Sequence, residues 1–451
     1  MQLKNRLAAI RSHSLEYILL MFFMTLYFVD LWVIQILWKV PDRRIYQERF
    51  LGIAALILII AAIVKACRTK HIGMPNISTC LLIAMAVLTV LSTIFGRAPK
   101  LSIEGSLTRC EGMIAILSYY VFGWYGLRVK DAAERHRLVC CFAVIGALSA
   151  LTGIATGLGY MSDENINMWG DTAAIPFGNP NFYGSFICMV DAVGMAMVIY
   201  GSRMRTRVAG AAVLLLASLA TFCCDSSSPL VGNIMAVLAV LCMEVWTCVR
   251  ESVRVGRLRR HDTPKSPIRI FAERMAALLV CLIIYFAAMF TVNEVRGGAV
   301  TDEWNDNMED VSRGLFDDSM FDNRMGIWKY LWSKLPDCGY FGVGPDNMHY
   351  ITILSSSEYT RGYDKAHNEY LNIAVCEGIF TAICYIVFLF TLFIPAIAHW
   401  RERSHSWAAV GLFLIFFSYI AQAFFNIRVI QVAPFFWVLC GLLGAEGTEQ
   451  T

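Results

Sequence analysis

His367 and Asn368 stand where a long polar stretch gives way to an apolar run beginning near Leu371. A histidine titrates near neutrality and can pass protons. Six residues earlier, Arg361 offers a planar fork of donors that matches phosphate oxygens. Two further blocks each place one arginine at the edge of an apolar run: Leu107-Thr108-Arg109-Cys110-Glu111-Gly112 and Phe321-Asp322-Asn323-Arg324-Met325-Gly326-Ile327-Trp328. A fourth block, Phe177-Gly178-Asn179-Pro180-Asn181-Phe182-Tyr183-Gly184, reads as a helix start that can also present the Asn181 amide to a sugar. Together these residue types suit chemistry on an anionic head group at a membrane surface. Each also has a plainer reading, as a solvated loop with an interfacial histidine or as a boundary arginine that snorkels.

The elements that must position them are membrane helices. Of the 451 residues, 57% are hydrophobic and 16% charged, against roughly 25% charge in soluble chains. The charges gather between apolar runs long enough to cross the ~30 Å hydrocarbon core. About 12 such runs recur, at 15–38, 50–67, 77–95, 112–127, 138–159, 180–200, 207–224, 229–248, 275–292, 371–397, 406–425 and 428–445. The expected fold is an all-α polytopic membrane protein. Helices one to nine fill 1–292, a large extracytoplasmic loop fills 293–370, and the last three helices fill 371–451. The basic start leads into an apolar run too long for a secretory signal, so it reads as the first spanning helix.

Lysine and arginine in short loops set the orientation. With both termini cytoplasmic, the inner loops hold Arg68 and Lys70, Arg128 to Arg137, Arg203 to Arg207, and the most basic connection, 249–274. Lys39, Arg43, Arg44, Arg49, Arg97, Lys100 and Arg109 break the rule on the outer side. They are either noise in that rule or a sign that the outer face holds something anionic. The 293–370 loop carries turn formers, acidic clusters and a stretch, Met325–Leu335, in which Trp328, Leu331, Trp332 and Leu335 recur at helical spacing. Fifteen cysteines contain no C-x-x-C pair; Cys110 and Cys338 alone fall in outer loops, and their pairing stays open.

No zinc spacing, HExxH, GxxxxGK[ST] or dinucleotide glycine motif occurs, so neither a metal nor a cofactor is expected. The acidic clusters leave a divalent cation open. No nucleic-acid partner is indicated.

Four places give the chain a resemblance to the superfamily of O-antigen ligases and Wzy-type polysaccharide polymerases. Arg109-Cys110-Glu111-Gly112 is similar to its Arg-x-Glu-Gly, and Gly178-Asn179-Pro180-Asn181 with Gly184 to its Gly-Asn-x-Asn-x-x-Gly. Asn323-Arg324 with Trp328, then Gly342-Val343-Gly344-Pro345, resemble its large-loop blocks. His367-Asn368-x-x-Leu371 with Gly378 resembles the signature that closes the loop. The resemblance spans roughly residues 90–400. It departs where the family commonly has Ser-Arg-Gly and this chain has Ser226-Ser227-Ser228-Pro229.

The resemblance implies a GT-C-like, metal-independent, inverting glycosyltransferase of the bacterial plasma membrane. Its donor would be a glycan on undecaprenyl diphosphate, and its acceptor a hydroxyl of a glycan or glycolipid. His367 would serve as base or help hold the diphosphate. Arg109, Arg324 and Arg361 would stabilise the departing charge, Asn368 would orient the histidine, and Asn181 would contact substrate. The competing expectations are a transporter or flippase of lipid-linked glycans or another anionic solute, with Asp191 as its intramembrane group, and a non-catalytic scaffold.

Overall fold

The computed structural model describes residues 13–36, 43–70, 75–160, 177–224, 226–256, 266–298, 300–302, 305, 324–353 and 362–446. Among these residues there is no strand. The helices are α1 (Leu15–Ile36), α2 (Arg43–Thr69), α3 (Ile77–Phe95), α4 (Pro99–Glu104), α5 (Met113–Leu127), α6 (Ala132–Gly157), α7 (Pro180–Tyr200), α8 (Met204–Cys223), α9 (Ser228–Gly256), α10 (Pro267–Val295), α11 (Arg324–Lys334), α12 (Glu369–Cys376), α13 (Ile379–Ala398), α14 (Trp407–Gln422) and α15 (Ala433–Glu446).

Eight of the described helices are long and apolar enough to cross a membrane: α2, α3, α6 to α10 and α13. Helices α5, α14 and α15 are apolar but shorter. At 1.5 Å per residue, a 15-residue helix such as α5 reaches only about 22 Å, short of the hydrocarbon thickness. The chain is therefore an all-α membrane protein.

Local chemistry fixes the helix starts. The side chain of Asn76 accepts from Thr79 N, that of Asp131 from Ala133 N and Glu134 N, and that of Ser406 from Ala409 N. Proline occupies the first turn of α7 and α10, where a missing N–H costs nothing. Helix α7 is the hub. Its whole apolar window is buried, and it packs against α6, α8, α9, α10 and α14. Helices α2 and α10 lie at the edge and turn Ile53, Ile60, Ile283 and Phe290 outward, as lipid-facing helices do. Helices α5 and α15 approach so closely that a Cβ on Gly441 would stand 2.2 Å from the Gly123 carbonyl oxygen. Such small-residue contacts let helices associate where no hydrophobic drive separates protein from lipid.

Two expectations need correction. The apolar run 371–397 is not one helix: it breaks between α12 and α13 at Gly378, whose φ of 94° and close approach to Tyr340 O suit only glycine. The break frees the last carbonyls of α12. Val343 N donates to Val375 O at 3.0 Å, and Gly344 N and Ser92 Oγ donate to Cys376 O, each at 2.9 Å. Arg97 N then bonds Val343 O, tying the Gly342-Val343-Gly344 stretch to the end of α3. The second correction concerns the stripe on α11. Leu331 is buried and Trp328 and Leu335 pack beside it, whereas Trp332 is 70% exposed, so the packed face holds three of the four stripe residues and takes Ile327 in place of Trp332. Ile327 and Leu331 join Val343, Met348, Ala366 and Val375 in a small apolar core of their own. The described part of the 293–370 segment is thus a folded cap on one end of the bundle. No disulfide forms among the described residues, so Cys110 and Cys338 do not pair.

Candidate functional site

His367 lies in the turn that leads into α12, with a φ of 47°. A non-glycine residue holds that left-handed conformation only where its neighbours over-determine it. Here they do. On one side Ala366 is pinned twice: its carbonyl accepts from Trp328 Nε1 at 2.9 Å, and its N–H donates to Asn372 Oδ1 at 3.3 Å. On the other side Asn368 caps α12, its Oδ1 accepting from Leu371 N at 3.0 Å. Glu369 N then donates to Ala423 O at the end of α14. The Asn368 oxygen is thus committed to the helix cap and sets the imidazole's position through the backbone.

The imidazole is pushed down to about 4. Burial is the main cause, followed by the Arg324 and Arg109 charges, while Asp364 opposes them. Arg324, buried at the start of α11, and Arg109, before α5, are therefore both near enough for their charges to act on His367. At neutral pH the ring is uncharged and able to accept a proton.

Arg109 forms a two-pronged pair with Asp364, Nε to Oδ2 at 2.6 Å and Nη2 to Oδ1 at 3.0 Å. Burial alone would raise the Asp364 carboxyl, but Arg109, Lys365 and His367 outweigh it and hold the group below its usual range. The Arg109 guanidinium also lies 5.6 Å from the centre of the Phe182 ring, in the first turn of α7. Asn181, next to Phe182, accepts from Ser226 Oγ at 2.6 Å through Oδ1 and from Asn426 Nδ2 at 2.7 Å through its carbonyl. Ser226 opens the serine run 226–228, so a neutral hydrogen bond to Asn181 occupies that corner. Arg361 and Asn323 lie outside the described residues.

Below these groups runs a buried ionic chain. Lys365 Nζ, 2% exposed, contacts Glu111 Oε2 at 2.9 Å and Asp346 Oδ1 at 3.0 Å. Glu111 Oε1 accepts from Arg428 Nε at 3.0 Å, and Arg428 Nη2 donates to Glu377 Oε1. Glu377 Oε2 accepts from Thr89 and Tyr120, and Asp346 Oδ2 from Ser106 N at 2.6 Å. The chain joins the cap to α3, α5, α12 and the turn before α15. Sequence reasoning missed Arg428 and Glu377. The available signal was a lone charge of each kind at the edges of apolar runs, which in a membrane protein marks a functional or structural partner.

Among the described residues no group of three His, Cys, Asp or Glu side chains could hold a metal. Neither a protein-family model nor a curated protein matches the chain.

Proposed function

We propose that the chain is a membrane glycosyltransferase that moves a glycan from a polyprenyl-diphosphate donor to an acceptor hydroxyl, as an O-antigen ligase or polysaccharide polymerase does. The observation that carries this reading is His367, held in a left-handed turn at the capped end of the bundle, where burial and the charges of Arg324 and Arg109 depress the imidazole. In the step itself, His367 takes the proton from the acceptor hydroxyl. The acceptor oxygen forms its bond to the anomeric carbon as the bond from that carbon to the diphosphate oxygen breaks. The electron pair leaves with the diphosphate, and Arg324 and Arg109 stabilise the charge that grows there. Arg361 joins them in this scheme, and Asn181 lies beside the Arg109–Phe182 contact as a group for the sugar. Cations close to lipid act more strongly than in water, because little solvent screens them.

On this reading the protein sits in a bacterial plasma membrane. Its termini are cytoplasmic, the 293–370 segment is extracytoplasmic, and about 12 helices span the bilayer. The loop charges support that orientation. A transporter of lipid-linked glycans or another anionic solute is the second reading, favoured by the buried Asp191 midway along α7.

The test is to incubate purified protein with a polyprenyl-diphosphate oligosaccharide and analyse the products. A longer lipid-linked chain marks a polymerase, and transfer to a different carrier marks a ligase. His367→Ala and Arg324→Ala should each abolish product while the protein remains folded in the membrane. Full activity in both variants, or liposome flux without a covalent product, rejects the proposal.

A further inference from the structure

Asp191 is 1% exposed and sits eleven residues into α7, about 16 Å along the helix from its start. It makes no ion pair among the described residues. Its neighbours are neutral. Ser218 Oγ is 3.1 Å from Oδ1, Thr221 Oγ1 is 2.9 Å from Oδ2, and Asn233 Nδ2 is 2.8 Å from Oδ2. Tyr285 Oη stands 3.2 Å from the same Asn233 nitrogen. Asn233 is 5% exposed, yet its Oδ1 is buried without any donor. A carboxylate and an orphaned amide oxygen therefore share one apolar enclosure. Both lack the positive partner that such burial demands.

The enclosure is a cavity of about 460 Å³ between α7, α8, α9 and α10. Its walls are mostly apolar, and its polar lining is Asp191, Asn233, Thr221, Ser226, Tyr285 and Thr301. Ser226 and Thr301 come from the capped end of the bundle.

We infer that Asp191, Ser218, Thr221 and Asn233 form a binding site for one sodium ion. Asp191, Ser218 and Thr221 present hard oxygens, and Asn233 adds a fourth once its amide turns Oδ1 in place of Nδ2 toward the carboxylate; such oxygens are the ligand type that alkali and alkaline-earth cations take and zinc or copper do not prefer. A calcium-sized ion holds oxygens at about 2.3–2.6 Å. Sodium has nearly the same radius, so neighbouring ligand oxygens stand roughly 3 Å or slightly more apart, close to the spacing of the carboxylate and two hydroxyls here. The single carboxylate selects the charge. A monovalent ion neutralises the site, whereas a divalent ion would leave one positive charge uncompensated in an apolar cavity. On ion entry the hydroxyl protons rotate off the carboxylate. The Asn233 amide turns over, so that the orphaned Oδ1 replaces Nδ2 beside Asp191 and gains the partner it lacks.

The inference is independent of glycosyl transfer, and its test reads stability alone. Thermal unfolding of the purified protein in detergent is followed in NaCl, KCl and choline chloride at equal ionic strength and at several pH values. A ligand that binds only the folded state raises the midpoint with concentration. Sodium should raise it saturably above choline and above potassium, and Asp191→Asn should give one flat curve in all three salts. Where Asp191→Asn fails to fold, Ser218→Ala and Thr221→Val keep the carboxylate. Each should move the sodium response to concentrations higher by on the order of 10-fold. Superimposed sodium and choline curves at every pH overturn the inference, because they mean that the carboxyl is held by a proton. An equal response to potassium, or an unshifted sodium response in the variants, overturns it as well.

Discussion

Replacing Lys365 by methionine removes the only cation that touches both Glu111 Oε2 and Asp346 Oδ1 among the described residues. Methionine keeps most of the side-chain length, so the loss is one of charge. The two carboxylates are 3% and 1% exposed at their side chains, so water cannot take over the role of the ammonium. Breaking a buried pair by deleting one partner costs about 3–5 kcal/mol, mainly for the charge left behind. The lower end applies here, because Glu111 keeps Arg428 at 3.0 Å and Asp346 keeps the Ser106 N–H at 2.6 Å. In a chain of this size a loss of that order lowers the unfolding midpoint by roughly 3–5 °C.

The control is the double variant Lys365→Met, Asp346→Asn. Asp346 has a φ of 60°, a conformation that asparagine tolerates well, and an asparagine oxygen can still accept from Ser106 N. Neutralising the stranded carboxylate should restore at least about 1 kcal/mol of the loss. Thermal unfolding of purified protein, followed by tryptophan fluorescence and by retention of the monodisperse peak, measures both. A single variant within about 1 °C of the parent, or a double variant less stable than the single one, would refute the charge argument.

Four other outcomes follow from the same coordinates. Arg324→Gln should raise His367 from about 4 towards its ordinary 6.5 without reaching it, since burial remains the largest cause; an NMR titration of labelled imidazole reads this. In the sign of linkage, the native ring binds fewer protons than the unfolded chain between about 6.5 and 4, so its contribution is complete above 6.5 and is lost as pH falls towards 4. The variant should therefore show a weaker fall in stability over that window. Gly378→Ala puts a Cβ 2.3 Å from Tyr340 O at a φ of 94° and should cost more than about 2 kcal/mol, seen as a lower unfolding midpoint. Arg109→Lys loses the two-pronged grip and should reduce glycan transfer on the order of 100-fold, with the protein still folded. With no disulfide among the described residues, a reducing agent should leave the unfolding midpoint unchanged.

Hydrophobic length was the most legible feature of the sequence. The runs at 77–95 and 180–200 are helices with those bounds, because a capping asparagine or a proline starts each one next to its first apolar residue. Where charge continues a helix beyond its apolar part, the sequence bounds fall short: α2 begins at Arg43 and α9 runs on to Gly256. The break at Gly378 was hidden, since a lone glycine in an apolar run is compatible with an unbroken helix. It depends on carbonyl acceptors supplied to a distant loop. His367, Arg109 and Arg324 stood out in the sequence because polar side chains at the edges of apolar runs are few. The ionic chain did not. Lys365 and Glu111 are 254 positions apart, and Arg428 and Glu111 are 317 apart, so no period or local motif encodes those pairs.

Lys365 and Arg428 differ from Arg109 in a way that bears on which of the three can meet an anionic substrate. Lys365 and Arg428 are 2% and 5% exposed and each contacts two carboxylates, so exchanging those for phosphate oxygens would strand buried negative charge. They fasten the cap to the bundle and fix the turn in which His367 stands. Arg109 differs. It is 21% exposed, and its partner Asp364 is 37% exposed, so the carboxylate can turn to water when another anion takes the fork. A diphosphate arriving at Arg109 would also screen one of the charges that depress His367 and so raise the basicity of the imidazole. Anion binding and base strength are thereby coupled through one guanidinium. In the proposed reaction the base would be strongest only with the leaving group in place, which would limit proton abstraction in the absence of a donor.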